Sequence, residues 1–211
     1  MVIGRAVNRL EEESWRVADL EKDGKIDEII DGLYKFDSMF WVTYCWHCKE
    51  KCKKDYRTWR SAFWRFVKSV VEELKIGDIT NASWPTYLIY SNLYKVSLDN
   101  GGNPTGKRAE IQRKDCIELL KKEISQWQPE KILFLTGLNW AEKFLMPKDK
   151  VKLGEIEDQY PADDKNVQLR GKLVLPQCNP IPIVVANHPQ GLLKKELDEE
   201  LRKIVDYFRS P

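Results

Sequence analysis

The sequence predicts a three-layer α/β/α fold on a short, mainly parallel, four-stranded sheet, preceded by an N-terminal helical extension. Apolar runs of strand length alternate along the 211-residue chain with longer segments whose apolar residues recur at helical spacing. The runs are apolar throughout rather than at every second residue, which is typical of parallel strands covered on both faces. The chain length suits one domain with a substantial core.

The N-terminal part, residues 1–35, is predicted to be the helical extension because its apolar side chains recur at helical spacing in two segments, 6–20 and 26–33. They are Val7, Leu10, Val17, Ile26, Ile29 and Leu33. Residues 36–211 are predicted to form a single α/β domain, with strands at 38–44, 87–91, 131–136 and 181–186. One long amphipathic helix is expected to end near residue 74. Three further helices are expected at about 107–127, 139–145 and 193–208.

An irregular insert is predicted at about 146–180, between the third and fourth strands. Four prolines interrupt regular structure there, at 147, 161, 176 and 180. Within the insert, the segment VQLRGKLVL is typical of a small hairpin that turns at Gly171.

Composition excludes several classes of protein. The longest apolar runs are too short to cross a bilayer, and the start MVIGRAVNRLEEE lacks the apolar core of a secretory signal. Five unevenly spaced cysteines suit a reducing compartment, so we expect a cytoplasmic protein that does not bind membranes. With His47 and His188 as its two histidines, the chain cannot form a His-rich metal centre.

The net charge of +2 conceals a strong segregation of charge. Residues 45–68 carry eight basic and two acidic side chains, net +6, whereas 9–31 carry four basic and nine acidic ones, net −5. The basic segment interleaves aromatic residues with cations, and we expect Lys49, Lys53 and Arg57 to contact phosphates of a nucleic acid. The alternative is a solvated charged face over an aromatic core.

Three cysteines, Cys45, Cys48 and Cys52, have a spacing that could supply ligands to zinc or an iron–sulfur cluster, with Cys116 or Cys178 as the fourth. The same cysteines continue the apolar stripe of the helix that follows, as small buried side chains do. We favour packing and expect neither a metal nor another cofactor.

Polar residues follow the predicted strands, where ligands bind in open parallel sheets. His188 follows the last strand, where an imidazole can polarise a carbonyl or move a proton. Gly137 follows the third strand, where its backbone can approach a ligand closely. After the second strand, Gly101–Lys107 matches a phosphate-binding glycine loop, although Arg108 replaces the usual Ser or Thr.

The order of these motifs resembles the uracil-DNA glycosylase-like superfamily. The segments are YLIYSNLYKVS, a Gly/Asn/Pro loop, KILFLTG and IPIVVANHPQG, and the resemblance covers about residues 36–208. It implies that Asn92 reads the pyrimidine edge and that His188, followed by Pro189, assists cleavage of the glycosidic bond. Gln190 replaces the Ser of that family's motif.

The first motif of the family, Gly-Gln-Asp-Pro-Tyr or Gly-Glu-Ala-Pro-Gly, has no match after the predicted first strand, where the chain reads Tyr44-Cys45-Trp46-His47-Cys48. His47 is therefore the candidate to order the attacking water. Trp46 or Tyr44 is expected to stack on an extruded base, and Gly137, Pro189 and Gln190 to line its pocket. Phosphate contacts are expected from Lys95, Ser97, Asn103 and Lys107.

The resulting expectation is a protein that binds a nucleobase or nucleotide in nucleic acid, with N-glycosidic cleavage as the reaction that the resemblance implies. One alternative is a non-catalytic module on the same fold that binds nucleic acid or protein. The other is a nucleotide-dependent enzyme that uses Gly101–Lys107.

Overall fold

A computed structural model describes residues 1–6, 40–47, 57–96, 102–149, 151–161 and 167–210. Within these ranges, the side chains at 6, 40, 41, 45, 47, 160 and 161 are not described. The described strands are β1 Val2–Ala6, β2 Tyr90–Tyr94, β3 Ile132–Leu135, β4 Glu155–Pro161, β5 Val167–Val174 and β6 Ile181–Ala186. The helices are α1 Phe40–His47, α2 Ala62–Glu73, α3 Gly106–Trp127, α4 Leu138–Leu145 and α5 Lys194–Arg209. Two short 3-10 turns cover Thr58–Arg60 and Trp84–Tyr87.

The fold is mixed α/β with one mostly parallel sheet in the order β2-β1-β3-β6-β5-β4. The neighbouring pairs β2-β1, β1-β3 and β3-β6 are parallel, whereas β5 runs antiparallel to both β6 and β4. The prediction of four strands was therefore wrong: the described residues form a sheet of six. The two additional strands, β5 and the edge strand β4, lie in the segment predicted to be an irregular insert.

The first parallel strand lies at the N-terminus, which is the largest correction to the prediction. Residues 38–44 were predicted to be a strand, but helix α1 begins at Phe40. An aromatic run that is apolar on all sides fits a buried helix as well as a buried strand. Conversely, β1 lies between β2 and β3, although its residues were assigned to the helical extension. Five residues that include Gly4 and Arg5 do not form a recognisable apolar run. The rest of the predicted extension, from residue 7, lies outside the described residues.

Two apolar clusters hold the helices against the sheet, and the strands contribute to both by alternation. Ile3, Phe134 and Val185 pack in a cluster with side chains of α3 and α4. Val2 and Leu133, their neighbours in the sheet, pack in a second cluster with side chains of α2 and α5. This alternation explains why the core strands read as continuous apolar runs.

The hairpin of β4 and β5 differs from the one expected around Gly171. This glycine lies inside β5 rather than in a turn. A Cβ there would come 2.8 Å from Cγ2 of Ile156 and 3.0 Å from the carbonyl oxygen of Glu157, so the glycine allows β4 to pass closely.

Candidate functional site

The carboxyl ends of the parallel strands bring together residues that are far apart in sequence. From β1, the chain moves to β2 on one side and then to β3 on the other, so the direction of winding changes at β1. In open α/β sheets, ligands bind in the crevice at such a switch point. The residues at this edge are Gly4, Arg5, Asn92, Thr136, Gly137, Asn187 and His188.

Asn92 is held in place by its neighbours in β1 and β2. The residue is 5% exposed, and its Oδ1 accepts a hydrogen bond of 3.0 Å from the Tyr90 hydroxyl. Gly4 lies opposite Asn92 in the sheet, and a Cβ at Gly4 would come 2.5 Å from Oδ1. The missing side chain of Gly4 therefore makes the space that the Asn92 amide occupies.

His188 is linked to Asn92 through aromatic rings. The ring of Phe63, on α2, lies 5.8 Å between centroids from the His188 imidazole and 5.8 Å from the Tyr90 ring. Tyr90 in turn binds Asn92. The structure thus brings the two residues singled out in the sequence to one edge of the sheet, joined by two intervening side chains.

The imidazole of His188 is neutral over the physiological pH range. Burial, and then the positive charge of Arg5, lower its pKa from 6.5 to about 4. The backbone N–H of Gln190 donates to Nδ1 at 3.3 Å, so in the neutral ring the proton is on Nε2. His188 consequently presents a neutral Nε2–H donor.

A buried carboxyl group anchors the loop that carries His188. Glu200, on α5, is 0% exposed, and its Oε1 accepts a hydrogen bond of 2.7 Å from the backbone N–H of Asn187. Burial, and to a lesser degree the charge of Glu196, raise the pKa of Glu200 from 4.5 to about 8. The sequence analysis missed Glu200 because it occupies a position in the apolar stripe of an otherwise highly charged helix.

Arg5 is the second residue that the sequence analysis missed, since it was assigned to a helical extension. Its Nε donates to the carbonyl oxygen of Thr136 at 2.8 Å, and its guanidinium lies 5.7 Å from the ring centroid of Trp140. Burial lowers the pKa of this guanidinium below its ordinary value. The short sequence Val2-Ile3 before Gly4 is the signal that could have located the strand and its end.

Gly137 closes the space between the ends of β3 and β6. Its backbone has φ of +77°, and its N–H donates to the carbonyl oxygen of Ala186 at 2.8 Å. The next N–H, that of Leu138, donates to Oε1 of Gln168 at 2.5 Å. Beside this turn, Pro189 is buried and Gln190 is exposed.

Helix α1 places the predicted stacking residues differently from the prediction. Because 45–47 belong to a helix, they do not follow a strand. Tyr44 is 40% exposed, whereas the ring of Trp46 packs edge-on against Trp84 at 5.3 Å, with the Lys68 ammonium 5.4 Å from its centroid. The side chain of His47 lies outside the described residues, so its proposed role stays a prediction.

The predicted phosphate contacts are spread over several elements. Lys95 donates to both carboxylate oxygens of Glu123, at 2.8 and 2.9 Å, so this cation is already paired. Lys107 is exposed in the first turn of α3, and Asn103 and Arg57 are half-buried. Lys49, Lys53 and Ser97 lie outside the described residues.

The glycine loop is described from Gly102 onwards. Gly102 and Gly106 have φ of +95° and +54°, and α3 begins at Gly106. β2 ends at Tyr94, so the loop does not follow its strand directly, as a phosphate-binding glycine loop does.

No group of three or more metal-ligating side chains occurs among the residues that the structure describes. The side chain of Cys45 and all of Cys48 and Cys52 lie outside them. Cys116 is buried, which raises the pKa of its thiol to about 11, and its sulfur accepts from the Lys95 backbone N–H at 3.5 Å. A protonated, packed thiol is a poor metal ligand.

Within the described ranges, no helix has the length and hydrophobicity needed to cross a membrane. Comparison with known proteins adds no assignment, because no family model and no curated protein matches the chain. The functional proposal therefore depends on the geometry of the strand ends.

Proposed function

We propose that this chain is a uracil-DNA glycosylase-like protein that binds a nucleobase or nucleotide of a nucleic acid at the carboxyl edge of its sheet. One observation carries the proposal. A buried asparagine amide and a neutral histidine lie at the same edge, and Tyr90 and Phe63 connect them. The family resemblance assigns reading of the base to Asn92 and assistance of glycosidic-bond cleavage to His188.

The chemistry of the two side chains suits a pyrimidine. Since Tyr90 fixes the orientation of the Asn92 amide, its Nδ2–H₂ group can donate to a base carbonyl, while the second lone pair of Oδ1 can accept from a ring N–H. The Nε2–H of His188 can donate to another carbonyl of the base. If the glycosidic bond breaks, the same neutral N–H stabilises the departing base anion by a hydrogen bond, without giving up its proton.

The position of β1 changes how the first motif is read. The strand carries Gly4-Arg5-Ala6 at its carboxyl end. This triplet agrees with the Gly and Ala of Gly-Glu-Ala-Pro-Gly, but it has Arg in place of the acidic residue. The described part of this strand end thus offers a cation where the family has the motif that positions water, which favours the second candidate function, a module that binds without cleaving.

Binding and excision assays on oligonucleotides containing one uracil, single- and double-stranded, separate these possibilities. Asn92→Ala and His188→Ala should each weaken binding to the uracil strand by about tenfold or more, because each removes donors or acceptors that face the base. Asn179→Ala, an exposed position before β6, is the matched control and should bind normally.

The pattern of results distinguishes enzyme from module. Excision that is lost in both variants establishes a glycosylase. Binding without excision, weakening steeply as salt rises, establishes the module. Normal binding and normal excision by both variants would show that Asn92 and His188 have neither role.

A further inference from the structure

Arg5 is an unusual cation for its position in the fold. It lies at the carboxyl end of β1, the strand at which the sheet changes its winding direction. Its side chain lies on the α4 face of the sheet and that of Asn92 on the α2 face, so a ligand that contacts both crosses the carboxyl edge of the sheet. Its Nη2 lies 3.8 Å from the point that a Cβ of Gly137 would occupy. The guanidinium therefore lies against the backbone of the turn between β3 and α4.

Most of the hydrogen-bonding capacity of Arg5 is unused by the residues that the structure describes. Nε donates to the Thr136 carbonyl, but neither Nη1 nor Nη2 has a hydrogen-bond acceptor among the residues that the structure describes. The nearby Oε1 of Gln168, 3.7 Å from the same Gly137 point, already accepts from the backbone N–H of Leu138. Four N–H groups of this half-buried guanidinium thus have no acceptor within the described ranges and can bind the oxygens of a ligand.

The local charge is positive. Trp140 has the Arg5 guanidinium 5.7 Å from its ring centroid and the Lys143 ammonium at 5.6 Å. The first turn of α4, which begins directly after Gly137, adds the partial positive charge of a helix N-terminus. Arg5 also disfavours a second positive charge on His188. These positive charges would stabilise a bound anion.

We propose that Arg5 is the anion-binding residue of the site and takes a phosphate group of the nucleotide whose base lies against Asn92 and His188. This inference rests on the proposed function and deepens it. A guanidinium presents paired N–H donors in the plane that two phosphate oxygens match, so one side chain can hold the group in a defined orientation. The phosphate is either that of a free mononucleotide or a phosphodiester of a nucleic-acid strand.

The test compares ligands with and without phosphate, at constant ionic strength. Deoxyuridine, its 5′-monophosphate, inorganic phosphate and a uracil-containing oligonucleotide are titrated by calorimetry into the wild type and into Arg5→Gln. The matched control is Arg202→Gln, which removes the same charge from an exposed position on α5. Arg5→Gln should weaken binding of the phosphate-bearing ligand by about 10- to 100-fold and leave that of deoxyuridine unchanged.

The two sources of phosphate give different outcomes. A loss seen with the monophosphate and with inorganic phosphate assigns the site to a free nucleotide, whereas a loss confined to the oligonucleotide assigns it to a phosphodiester. If Arg5→Gln binds all four ligands as the wild type does, or loses no more affinity than Arg202→Gln, the inference is overturned.

Failure of this inference is distinguishable from failure of the proposed function. If Asn92→Ala weakens binding and Arg5→Gln does not, base binding stands and the phosphate site falls. If Arg5→Gln weakens phosphate binding and Asn92→Ala changes nothing, the anion site stands without the base. Should Arg5→Gln not fold, phosphate is titrated into the wild type by NMR. Backbone amide shifts centred on Gly137 and His188 would support the site, and their absence would refute it.

Discussion

At the scale of single residues, the site depends on small groups as much as on reactive ones. Gly4 has no reactive side chain, yet the Asn92 amide occupies the space that a side chain at this position would fill. His188 was found from the sequence because a histidine after an apolar run stands out. Its neutral state was not predictable, because that state comes from burial and from Arg5, which the folded sheet brings close.

Gly4→Ala tests the packing of the Asn92 amide. The new methyl would come 2.5 Å from Oδ1, so Asn92 must leave its position or the two strands must separate. We expect a loss of about 1 to 3 kcal/mol in the free energy of unfolding, measured with urea, together with loss of uracil binding. The double variant with Asn92→Ala should regain part of the stability, since the clash is removed. Equal losses in the single and double variants would contradict this account.

At the scale of elements, the order of the strands decides what the site contains. β1 separates β2 from β3, so the residues at its end lie between Asn92 and His188. The segment 38–44 was predicted to be the first strand, but its described residues, from Phe40, belong to α1, which packs against the 3-10 turn at Trp84 through Trp46. A run that is apolar at every position shows no periodicity of hydrophobic residues, and that periodicity is what distinguishes a strand from a helix in a sequence.

Ile3→Ala tests whether β1 is integral to the core. Ile3 is 0% exposed and contacts the cluster beneath α3 and α4, so truncation should lower the free energy of unfolding by about 2 to 5 kcal/mol. The matched control is Ile156→Ala on the edge strand β4, a half-buried position where the loss should be clearly smaller. Similar losses for both, by urea unfolding, would show that β1 contributes no more than an edge strand.

At the scale of the whole molecule, the net charge is close to zero, but positive and negative side chains are unevenly distributed over the structure. The folded sheet concentrates cations, Arg5 and Lys143, beside Trp140, although neither belongs to the basic segment 45–68. The interior also contains a carboxyl group, that of Glu200, whose Oε2 has no hydrogen-bond partner among the described residues. Global stability should therefore depend on pH through this group.

The sign of that dependence follows from the pKa of Glu200, which folding raises from 4.5 to about 8. Between these values the folded state holds a proton that the unfolded state has released. Raising the pH through this window therefore lowers the free energy of unfolding. Glu200→Gln stays neutral, so it should flatten this decline and be more stable than the wild type near pH 8. Urea midpoints measured across the window would contradict this if both proteins declined equally.

The sequence by itself determined the helices α2, α3 and α5, and the strands β3 and β6 after which Gly137 and His188 lie. These depend on local periodicity and on apolar runs, which are legible along the chain. The second strand was predicted at 87–91, but β2 covers Tyr90–Tyr94, so Asn92 lies inside this strand rather than after it. Only the tertiary structure decided that β1 begins at Val2, that the sheet has six strands, and that Arg5, Gly4 and Glu200 belong to the site. Their roles arise from contacts across β-strand pairs and between sheet and helix, and the apolar pair Val2-Ile3 is a local signal for the position of β1 but not for these contacts.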